Sequence, residues 1–239
     1  MKLLDLSFET PQENLACDEA LLDWSEEESG AAVLRFWESP RHFVTLGYTD
    51  AASSEADVEA CRVLEVPVLR RCSGGGTVLQ GPGCLNYALV MPIEQSGPTS
   101  NLSDTNSFVM QRHRDVLSEL LGAPVTSEGF TDLAIGGLKF SGNAQRRRRR
   151  TLLFHGTFLL DFDLSLIERV LNMPSKQPQY RNTRSHRDFV TNIDVSRENI
   201  KRALQETWGA HQVLVAVPHQ RIQALAQGKY EDDAWNFKF

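Results

Sequence analysis

The feature that most constrains this chain is a run of three glycines, Gly74, Gly75 and Gly76, which follows a predicted strand ending in Arg70 and Arg71. Residues without a Cβ atom weaken a strand, and they let a ligand approach main-chain N–H groups closely. The two arginines suit phosphate or carboxylate oxygens, which a guanidinium can bind bidentately. The run fits neither the GxxxxGK[ST] nor the GxGxxG nucleotide loop. It therefore indicates either an anion-binding loop of another kind or an ordinary flexible turn.

A second glycine-containing segment places a single lysine on a predicted strand. Residues 132–135 and 138–145 are predicted to form two strands around Gly136 and Gly137, a pair typical of a tight hairpin turn. Lys139 begins the second strand, and its small neighbours leave room for a ligand to lie along it. Lys139 could therefore hold a carboxylate or the bridging phosphate oxygen of an acyl-adenylate, or it could be a solvent-facing strand lysine. The small neighbours are Gly137, Ser141, Gly142 and Ala144.

Two further side chains are candidates for the same site. His155 lies in a predicted strand with Gly156 and Thr157, and it could act as a base, orient a substrate or serve the fold. Asp132 precedes the Lys139 strand and could bind an adenine amine or a ribose, or cap a turn. Both residues are consistent with a nucleotide-binding pocket, but neither is specific evidence for one.

Five consecutive arginines occupy positions 146–150, from Arg146 to Arg150. Because five adjacent cations cannot all be buried, we predict an exposed loop between the Lys139 strand and the next strand. The loop is either simply solvated or a docking surface for an acidic protein or a polyphosphate. Aromatic residues do not alternate with the arginines, so RNA binding has no support here.

Size, charge and cysteine use narrow the class of protein. With 239 residues, of which 41% are hydrophobic, the chain suits one large domain. A formal net charge of −6 argues against nucleic-acid binding by bulk electrostatics. No CxxC or metal-ligand spacing links the four cysteines, so the metal set stays unknown and a reducing compartment is indicated. The sequence offers no signal peptide and no membrane-spanning run, so we expect a soluble, cytoplasmic protein.

Hydrophobic periodicity indicates an α+β fold. Strands are predicted in runs, with helices between the runs and without regular βαβ alternation, which favours a mixed, mostly antiparallel sheet. Thr10, Pro11 and Glu13 form a helix start with a capping box, and Ser103 is expected to cap a later helix. The predicted helices are 11–30, 54–65, 103–121, 164–171, 196–208 and one from 220. The remaining predicted strands are 32–37, 43–47, 66–71, 85–91, 152–161 and 213–217.

Several motifs in order resemble one enzyme family. The most specific are RRCSGGGTV at 70–78, GLKFSGNAQ at 137–145 and HGTFLLDFDL at 155–164. Segments 14–22, 34–37 and 44–47 and the closing Lys229-Tyr230 and Trp235-Asn236 pairs extend the match over nearly the whole chain. Together they resemble the lipoate–protein ligase A family, within the superfamily of biotin and lipoate ligases and lipoyl or octanoyl transferases.

The resemblance implies a fold, a reaction and a site. The fold is a catalytic domain like those of class II aminoacyl-tRNA synthetases and biotin ligases, here a single domain over residues 1–239. In the reaction, lipoate and ATP form lipoyl-AMP with Mg²⁺, and the lipoyl group passes to a lysine of an acidic carrier domain. Lys139 would contact the acyl carbonyl and phosphate, and Asp132 the adenosine. The implied site also includes Arg70, Arg71, Ser73, Gly74, Gly75, Gly76, Thr77, Val78, Asn86, Ser141, Gly142, Ala144, His155, Gly156 and Thr157.

The chain departs from the family pattern in two places. After the glycine run, many ligases have His-Asp-x-Gly-Asn, whereas residues 80–84 here are Gln-Gly-Pro-Gly-Cys, closer to the octanoyltransferases. Cys84 is thus a minor candidate for the thioester-forming nucleophile of a transferase. We also expect no C-terminal accessory domain, so either a separate accessory protein supplies that domain or the enzyme works without it.

Three functional alternatives remain from the sequence. The first is an ATP-dependent ligase, favoured because no cysteine follows Cys84 and a thiol near Lys139 would have to be Cys72 or Cys84. The second is a lipoyl or octanoyl transferase that takes the acyl group from an acyl carrier or acyl-AMP. The third is a non-catalytic lipoate-binding homologue, which the retained Lys139, arginines and glycines argue against.

Overall fold

The computed structural model describes residues 1–28 and 30–239, which form a large and a small β-sheet. In chain order the strands are β1 (Lys2–Asp5), β2 (Val33–Trp37), β3 (Phe43–Leu46), β4 (Val68–Arg70), β5 (Val78–Gln80), β6 (Cys84–Pro92), β7 (Val125–Glu128), β8 (Asp132–Ile135), β9 (Leu138–Arg147), β10 (Thr151–Leu159) and β11 (Gln212–Val213). The large sheet has the order β11-β1-β2-β6-β10-β9-β8-β7, and the small sheet has the order β4-β3-β5. Strand β1 pairs in parallel with β2 and β11, and the other pairs of the large sheet are antiparallel.

Helices cover both faces of the large sheet. They are α1 (Pro11–Glu27), α2 (Ala52–Glu55), α3 (Val58–Val63), α4 (Leu102–Leu121), α5 (Leu164–Val170), α6 (His186–Phe189), α7 (Arg197–Trp208), α8 (His219–Leu225) and α9 (Asp233–Asn236). A single 3₁₀ turn, Gln179–Arg181, and a π-helical turn, Ala226–Tyr230, complete the helical segments of the described residues. The predicted α+β class with mixed, mostly antiparallel sheets flanked by helices is confirmed.

Alternation along the central strands gives each face of the sheet its own apolar core. In β6, Tyr87 and Leu89 pack with α4 and α7, whereas Ala88 and Val90 pack with α1 and α8. A third core joins the small sheet to α5 through residues such as Val44 and Ile167. Because β6 and β10 are apolar on both faces, they lie in the middle of the sheet.

Helix caps and turns follow the local sequence in most places. The Thr10 hydroxyl accepts a 3.2 Å hydrogen bond from the Glu13 N–H at the start of α1, as predicted. Gly136 and Gly137 both have positive φ, at 57° and 78°, and form the predicted hairpin turn between β8 and β9. The expected Ser103 cap is wrong, because α4 begins one residue earlier than residue 103 and Asn101 caps it by accepting from the Asp104 N–H.

Other predicted elements are corrected by long-range pairing. The helix expected over 54–65 is interrupted at Ala56, which is extended and forms a bridge with Leu171. The strand expected over 213–217 is reduced to the two residues of β11. Strands β1, β5 and β7 were not predicted, because each is only three or four residues long and depends on its neighbours in the sheet.

The arginine run is not the exposed loop that we predicted. Arg146 and Arg147 are the last residues of β9, and only Arg149 and Arg150 are exposed. Pairing with β10 extends β9 to this point, since Arg146 and Arg147 lie opposite Leu153 and Leu152. Within residues 1–28 and 30–239, we find no helix with the length and apolar character needed to span a membrane.

Candidate functional site

A cavity of about 460 Å³ opens between the glycine run, the large sheet and the segment 174–178. Most of the residues predicted for the site line this cavity. They are Arg71, Gly75, Gly76, Thr77, Val78, Asn86, Asp132, Lys139, Ser141, Gly142, Ala144, His155, Gly156 and Thr157. Arg70, Ser73 and Gly74 are not among the lining residues. The two motifs that dominate the sequence therefore form walls of one cavity.

The register of three neighbouring strands brings together the residues that line the cavity on its sheet side. Gly142 of β9 lies opposite Thr157 of β10, which lies opposite Asn86 of β6. Ala144 and His155 form the next row on the same face. Because side chains alternate across a sheet, these rows present one continuous wall. The small residues matter here, since a Cβ on Gly142 would lie 2.9 Å from Lys139 Nζ.

Lys139 is paired at the cavity wall with a carboxylate, which also accepts a hydrogen bond from a tyrosine. Its Nζ lies 2.7 Å from Asp132 Oδ1, and the Tyr180 hydroxyl donates a 2.7 Å hydrogen bond to Asp132 Oδ2. The Lys139 and Asp132 side chains are 23% and 14% exposed, so water and ligands still reach the pair. Burial, followed by the negative charge of Asp132, raises the pKa of Tyr180, which therefore remains a hydrogen-bond donor. Tyr180 was not predicted as a site residue, because no motif surrounds it.

Arg71 binds the carbonyl oxygens of the glycine run. Its guanidinium donates to the carbonyl oxygens of Gly74 and Gly76 at 2.7 and 2.8 Å, and also to Ser73 Oγ. Burial lowers the pKa of Arg71 to about 10, so it remains a cation at neutral pH. Because C=O and N–H point in opposite directions in a trans peptide, the N–H groups that follow Gly74 and Gly76 point away from Arg71. Arg71 therefore orients the loop amides.

Gly75 is the glycine of the run whose conformation requires a missing Cβ. Its φ is +83°, and a Cβ there would lie 3.0 Å from Arg71 Nη2 and 3.3 Å from Ala144. The loop thus packs closely on β9, which brings the glycine run against the strand that carries Lys139.

Arg70 belongs to the scaffold of the site. It is fully buried, and its guanidinium donates to the carbonyl oxygens of Gly47, Asp50 and Asn236. Its main-chain N–H donates to Asn236 Oδ1 at 2.9 Å. Arg70 therefore ties the C-terminal Trp235-Asn236 pair to the loop after β3, and the structure does not bring it to the cavity.

A buried hydrogen-bond chain connects the glycine run to α1. Ser73 Oγ lies 2.6 Å from His155 Nε2, and His155 Nδ1 lies 3.2 Å from Asp18 Oδ2. Asp18 Oδ1 accepts from Arg35 Nη1 at 2.5 Å. Burial would raise the pKa of Asp18, but Arg35 and His155 outweigh it and hold that pKa below its usual value.

This chain of hydrogen bonds contains two predicted site residues, Ser73 and His155, and a third residue, Asp18, that was not predicted. His155 and Asp18 line the cavity, whereas Ser73 supports the loop from behind. With both ring nitrogens engaged, His155 holds the loop in position. The signal for Asp18 was its place in the 14–22 motif, although only the structure pairs it with Arg35.

Asn143 is another residue that sequence analysis missed. Its Oδ1 accepts from the Tyr87 hydroxyl at 2.5 Å, and its Nδ2 donates to the Thr131 carbonyl at 2.6 Å. A Cβ on Gly156 would overlap Asn143 Oδ1, which explains the glycine beside His155. Asn143, Tyr87 and Thr131 all line the cavity. Asn143 could have been singled out, because it lies between two predicted site residues in the GLKFSGNAQ motif.

Among the residues that the structure describes, no cysteine lines the cavity. All are buried, and none is among the cavity-lining residues of the described chain. Burial raises the pKa of Cys17, Cys72 and Cys84 to about 12 and that of Cys61 to about 11. A thiol that stays protonated and buried is a poor nucleophile. Cys84 is therefore unsuited to the nucleophilic role considered from the sequence.

Carboxylates are present at the cavity, although no dedicated metal cluster is formed by the described residues. No group of three or more His, Cys, Asp or Glu side chains there could hold a metal ion. Asp50, Glu55 and Asp132 line the cavity. Mg²⁺ in nucleotide sites is typically held by one or two carboxylates together with substrate phosphates, so this donor set fits such an ion.

Comparison with known proteins identifies the family. The lipoyl protein ligase A/B catalytic domain family matches residues 10–208. A relative from Aeropyrum pernix, bearing the name putative lipoate-protein ligase A, is 33% identical over 208 residues, covering 86% of this chain and 73% of the relative. The octanoyltransferase LipM of Geobacillus kaustophilus is 27% identical over 279 residues, covering 99% of this chain and 98% of that protein.

Solved structures agree with this result. A bi-partite lipoate protein ligase from Thermoplasma acidophilum, studied with its E2 lipoyl domain, has a TM-score of 0.83 at 24% identity. That match covers 99% of this chain and 95% of the other. A lipoate-protein ligase A bound with ATP has a TM-score of 0.81 at 25% identity, covering 99% and 98% of the two chains. The fold is thus shared with these proteins, and the family match over residues 10–208 shows that the chain belongs to the lipoyl protein ligase A/B catalytic domain family.

Proposed function

We propose that this protein is a lipoate–protein ligase that activates lipoate with ATP and transfers the lipoyl group to a lysine of a carrier protein. The observation that carries the proposal is a cavity with Lys139 and the glycine run on its walls and without a cysteine among its described lining residues. Such a site can neutralise an acyl-phosphate but has no thiol to form a thioester. The similarity to a ligase bound with ATP supports the same interpretation.

In the first step, a carboxylate oxygen of lipoate attacks the α-phosphorus of ATP and pyrophosphate leaves, which yields lipoyl-AMP. Lys139 would exchange part of its contact with Asp132 for the carboxylate and phosphate oxygens, because its side chain is partly exposed and lines the cavity. The N–H groups of Gly75 and Thr77, which Arg71 orients, would bind phosphate oxygens. Asp132 or Asp50 would hold Mg²⁺ together with the phosphates, and the ion supplies charge neutralisation when bound.

In the second step, the carrier amine attacks the acyl carbonyl, the bond to AMP breaks and a proton is released. Negative charge develops on the carbonyl and bridging oxygens, where the Lys139 ammonium can stabilise it. The chain Ser73–His155–Asp18 would keep the glycine loop in place during both steps. The protein would therefore contribute to the reaction mainly by positioning the reactants and neutralising their charge.

A transferase that uses octanoyl or lipoyl groups is the second candidate function. The similarity to octanoyltransferase LipM over 99% of this chain and the Gly-Pro-Gly sequence at 81–83 favour it. Against it stands the burial of Cys84 and its raised pKa. A non-catalytic homologue is disfavoured by the lysine, glycine and arginine residues retained at the cavity.

Pyrophosphate exchange separates these candidates. A ligase would exchange labelled pyrophosphate into ATP only when lipoate is present, and mass spectrometry would then detect lipoyl groups on an apo lipoyl domain. Transfer from octanoyl-acyl carrier protein without ATP would instead support the transferase. Absence of exchange, even with an accessory protein added, would contradict the ligase proposal.

The carrier and accessory partners are part of the proposal. The T. acidophilum ligase is bi-partite and was studied with an E2 lipoyl domain. By analogy, we expect a lipoyl domain as acceptor and a separate accessory protein as a further requirement to test. We place the protein in the cytoplasm, where both ATP and apo carrier domains are available.

A further inference from the structure

Strand alternation and ion pairing divide the arginine run into different roles. Arg147 points to the α4 face and donates to the carbonyl oxygens of Thr99 and Ser100. Arg148 lies 2.7 Å from Asp23, and Arg150 is paired with Glu26. These three arginines are held by other parts of the fold, whereas Arg149 is exposed to solvent.

Arg146 has a different environment, because it points to the α1 face next to the glycine run. It lies opposite Leu153, which packs in the α1 core. Its guanidinium is 5.4 Å from the centre of the Tyr48 ring, and its Nε is buried without a hydrogen-bond partner among the described residues. The arginine is thus held in position by an aromatic ring, with a donor left unused.

A second cation meets the same aromatic ring. Lys238 Nζ lies 3.6 Å from the centre of the Tyr48 ring and 3.7 Å from that of Trp235. Lys229 Nζ lies 3.9 Å from the Trp235 ring, although Glu19 neutralises it at 2.7 Å. We call Arg146, Lys229, Lys238, Tyr48 and Trp235 the cation–aromatic patch.

The patch is next to residues that line the cavity. The main-chain N–H of Tyr48 donates to the Ser73 carbonyl at 2.8 Å, so the backbone that carries this ring is bonded to the start of the glycine run. The next residues, Thr49 and Asp50, line the cavity. A macromolecule seated on the patch would therefore be positioned to extend a side chain toward Lys139.

We propose that the cation–aromatic patch docks an acidic surface of the carrier domain that accepts the acyl group. This inference rests on the proposed function, in which a lysine of a folded domain must reach the cavity. Lysine and arginine held against aromatic rings are pre-organised for carboxylates, because little side-chain entropy is lost on binding. Partial burial, with Arg70 and Lys229 nearby, lowers the pKa of Lys238, and a bound carboxylate would relieve this crowding of like charges.

An acidic protein fits the patch better than a nucleic acid does. The whole chain has a formal net charge of −6, which disfavours binding to a polyanion that extends beyond the patch. A small cationic surface within an acidic protein instead recognises a local cluster of carboxylates and sets the orientation of the partner.

Binding of an apo E2 lipoyl domain tests the docking surface independently of catalysis. Arg146→Gln combined with Lys238→Gln should weaken the affinity measured by calorimetry about tenfold, and 0.5 M salt should weaken wild-type binding similarly. Arg114→Gln is the matched control, because it removes one exposed charge on α4, on the opposite face of the large sheet. A lipoyl domain whose carboxylates beside the acceptor lysine are changed to amides should lose the difference between wild type and the double variant.

Half-reaction measurements separate this inference from the proposed function. The double variant should retain lipoate-dependent pyrophosphate exchange within about twofold while the KM for the lipoyl domain rises about tenfold. Unchanged affinity and KM in the double variant would overturn the docking surface and leave the ligase proposal intact. Absence of exchange in the wild type would overturn the ligase proposal, while the calorimetric comparison would still decide the docking surface. Variant-sensitive binding to single-stranded RNA in place of the lipoyl domain would also overturn it.

Discussion

At the scale of single residues, the site consists of charges held by specific partners. Lys139 forms an ion pair with Asp132, and Asp132 accepts a hydrogen bond from Tyr180, each at 2.7 Å. Arg70 and Arg71 are adjacent in sequence but serve different purposes, because Arg70 binds the C-terminal segment and Arg71 binds the glycine run. The residue types predicted the charge at the site, whereas the partners explain what each charge does.

Replacing Lys139 tests the proposed centre of the reaction. We expect Lys139→Ala to reduce lipoyl transfer by about a hundredfold to a thousandfold, because a single charge that stabilises the transition state is removed. Circular dichroism and thermal unfolding should show a folded protein, since the pair with Asp132 is partly exposed. Near-normal transfer by Lys139→Ala would refute the assignment of Lys139.

Replacing Cys84 tests the transferase alternative. We expect Cys84→Ala to keep acyl transfer within about twofold of wild type, because its thiol is buried and its pKa is raised to about 12. Loss of the Cys84 sulfur atom should leave a small cavity, which lowers the free energy of unfolding by about 1 kcal/mol. Lys139→Ala measured in the same assay supplies the inactive reference. Loss of transfer in a folded Cys84→Ala protein would restore the thioester mechanism.

At the scale of elements, strand pairing determines which motif residues meet. The predicted hairpin at Gly136 and Gly137 and the strand that follows are correct, because turn glycines and β propensity are local signals. The break near Ala56 and the shortened β11 were not predictable, since they depend on Leu171 and on the edge of the sheet. The same pairing brings Gly156 of β10 against its neighbour on β9, which no periodicity would reveal.

Gly156→Ala tests this close approach between β9 and β10. The new Cβ would overlap Asn143 Oδ1, so we expect a loss of about 1 to 3 kcal/mol in the free energy of unfolding, measured by urea denaturation. Gly228→Ala is the matched control, because a Cβ there meets no atom within 4 Å. Adding Asn143→Ala to Gly156→Ala should recover part of the loss. If Gly156→Ala is as stable as Gly228→Ala, Asn143 is not the reason for this glycine.

At the scale of the whole molecule, contacts between distant parts of the chain complete the site. Arg70 binds the Trp235-Asn236 pair, and Tyr230 donates to Glu19 of α1, so the C-terminal segment packs behind the glycine run. On the other face, His113 of α4 is buried between the rings of Tyr87 and Trp208. Tyr87 also lines the cavity. Both cores of the large sheet therefore support the cavity.

Burial of His113 predicts a pH dependence of stability. Burial lowers the pKa of His113 from 6.5 to about 3, while the unfolded chain retains the ordinary value. The unfolded state thus binds an extra proton below pH 6.5, so His113 contributes stability above that pH and loses it as the pH falls toward 3. The contribution is about 1.4 kcal/mol for each pH unit in that window.

The measurement is urea unfolding of wild type and His113→Gln between about pH 7, above the titration of His113 in the unfolded chain, and about pH 4. The wild type should lose more stability on acidification than His113→Gln, which cannot take up this proton. His211→Gln, at an exposed position, is the control and should follow the wild type. Parallel curves for wild type and His113→Gln would show that His113 is not a buried neutral group.

The sequence by itself determined the fold class, the family resemblance and most of the residues around the cavity, because glycine turns, strand patterns and ordered motifs are local properties. Only the tertiary structure decided that Arg70 belongs to the scaffold, that Cys84 is buried and that the arginine run is divided among different partners. It also revealed Asp18, Asn143 and Tyr180, which come from separate elements. The physical reason is that burial, strand register and ion pairing depend on residues far apart in the chain, and these contacts set the role of each charge.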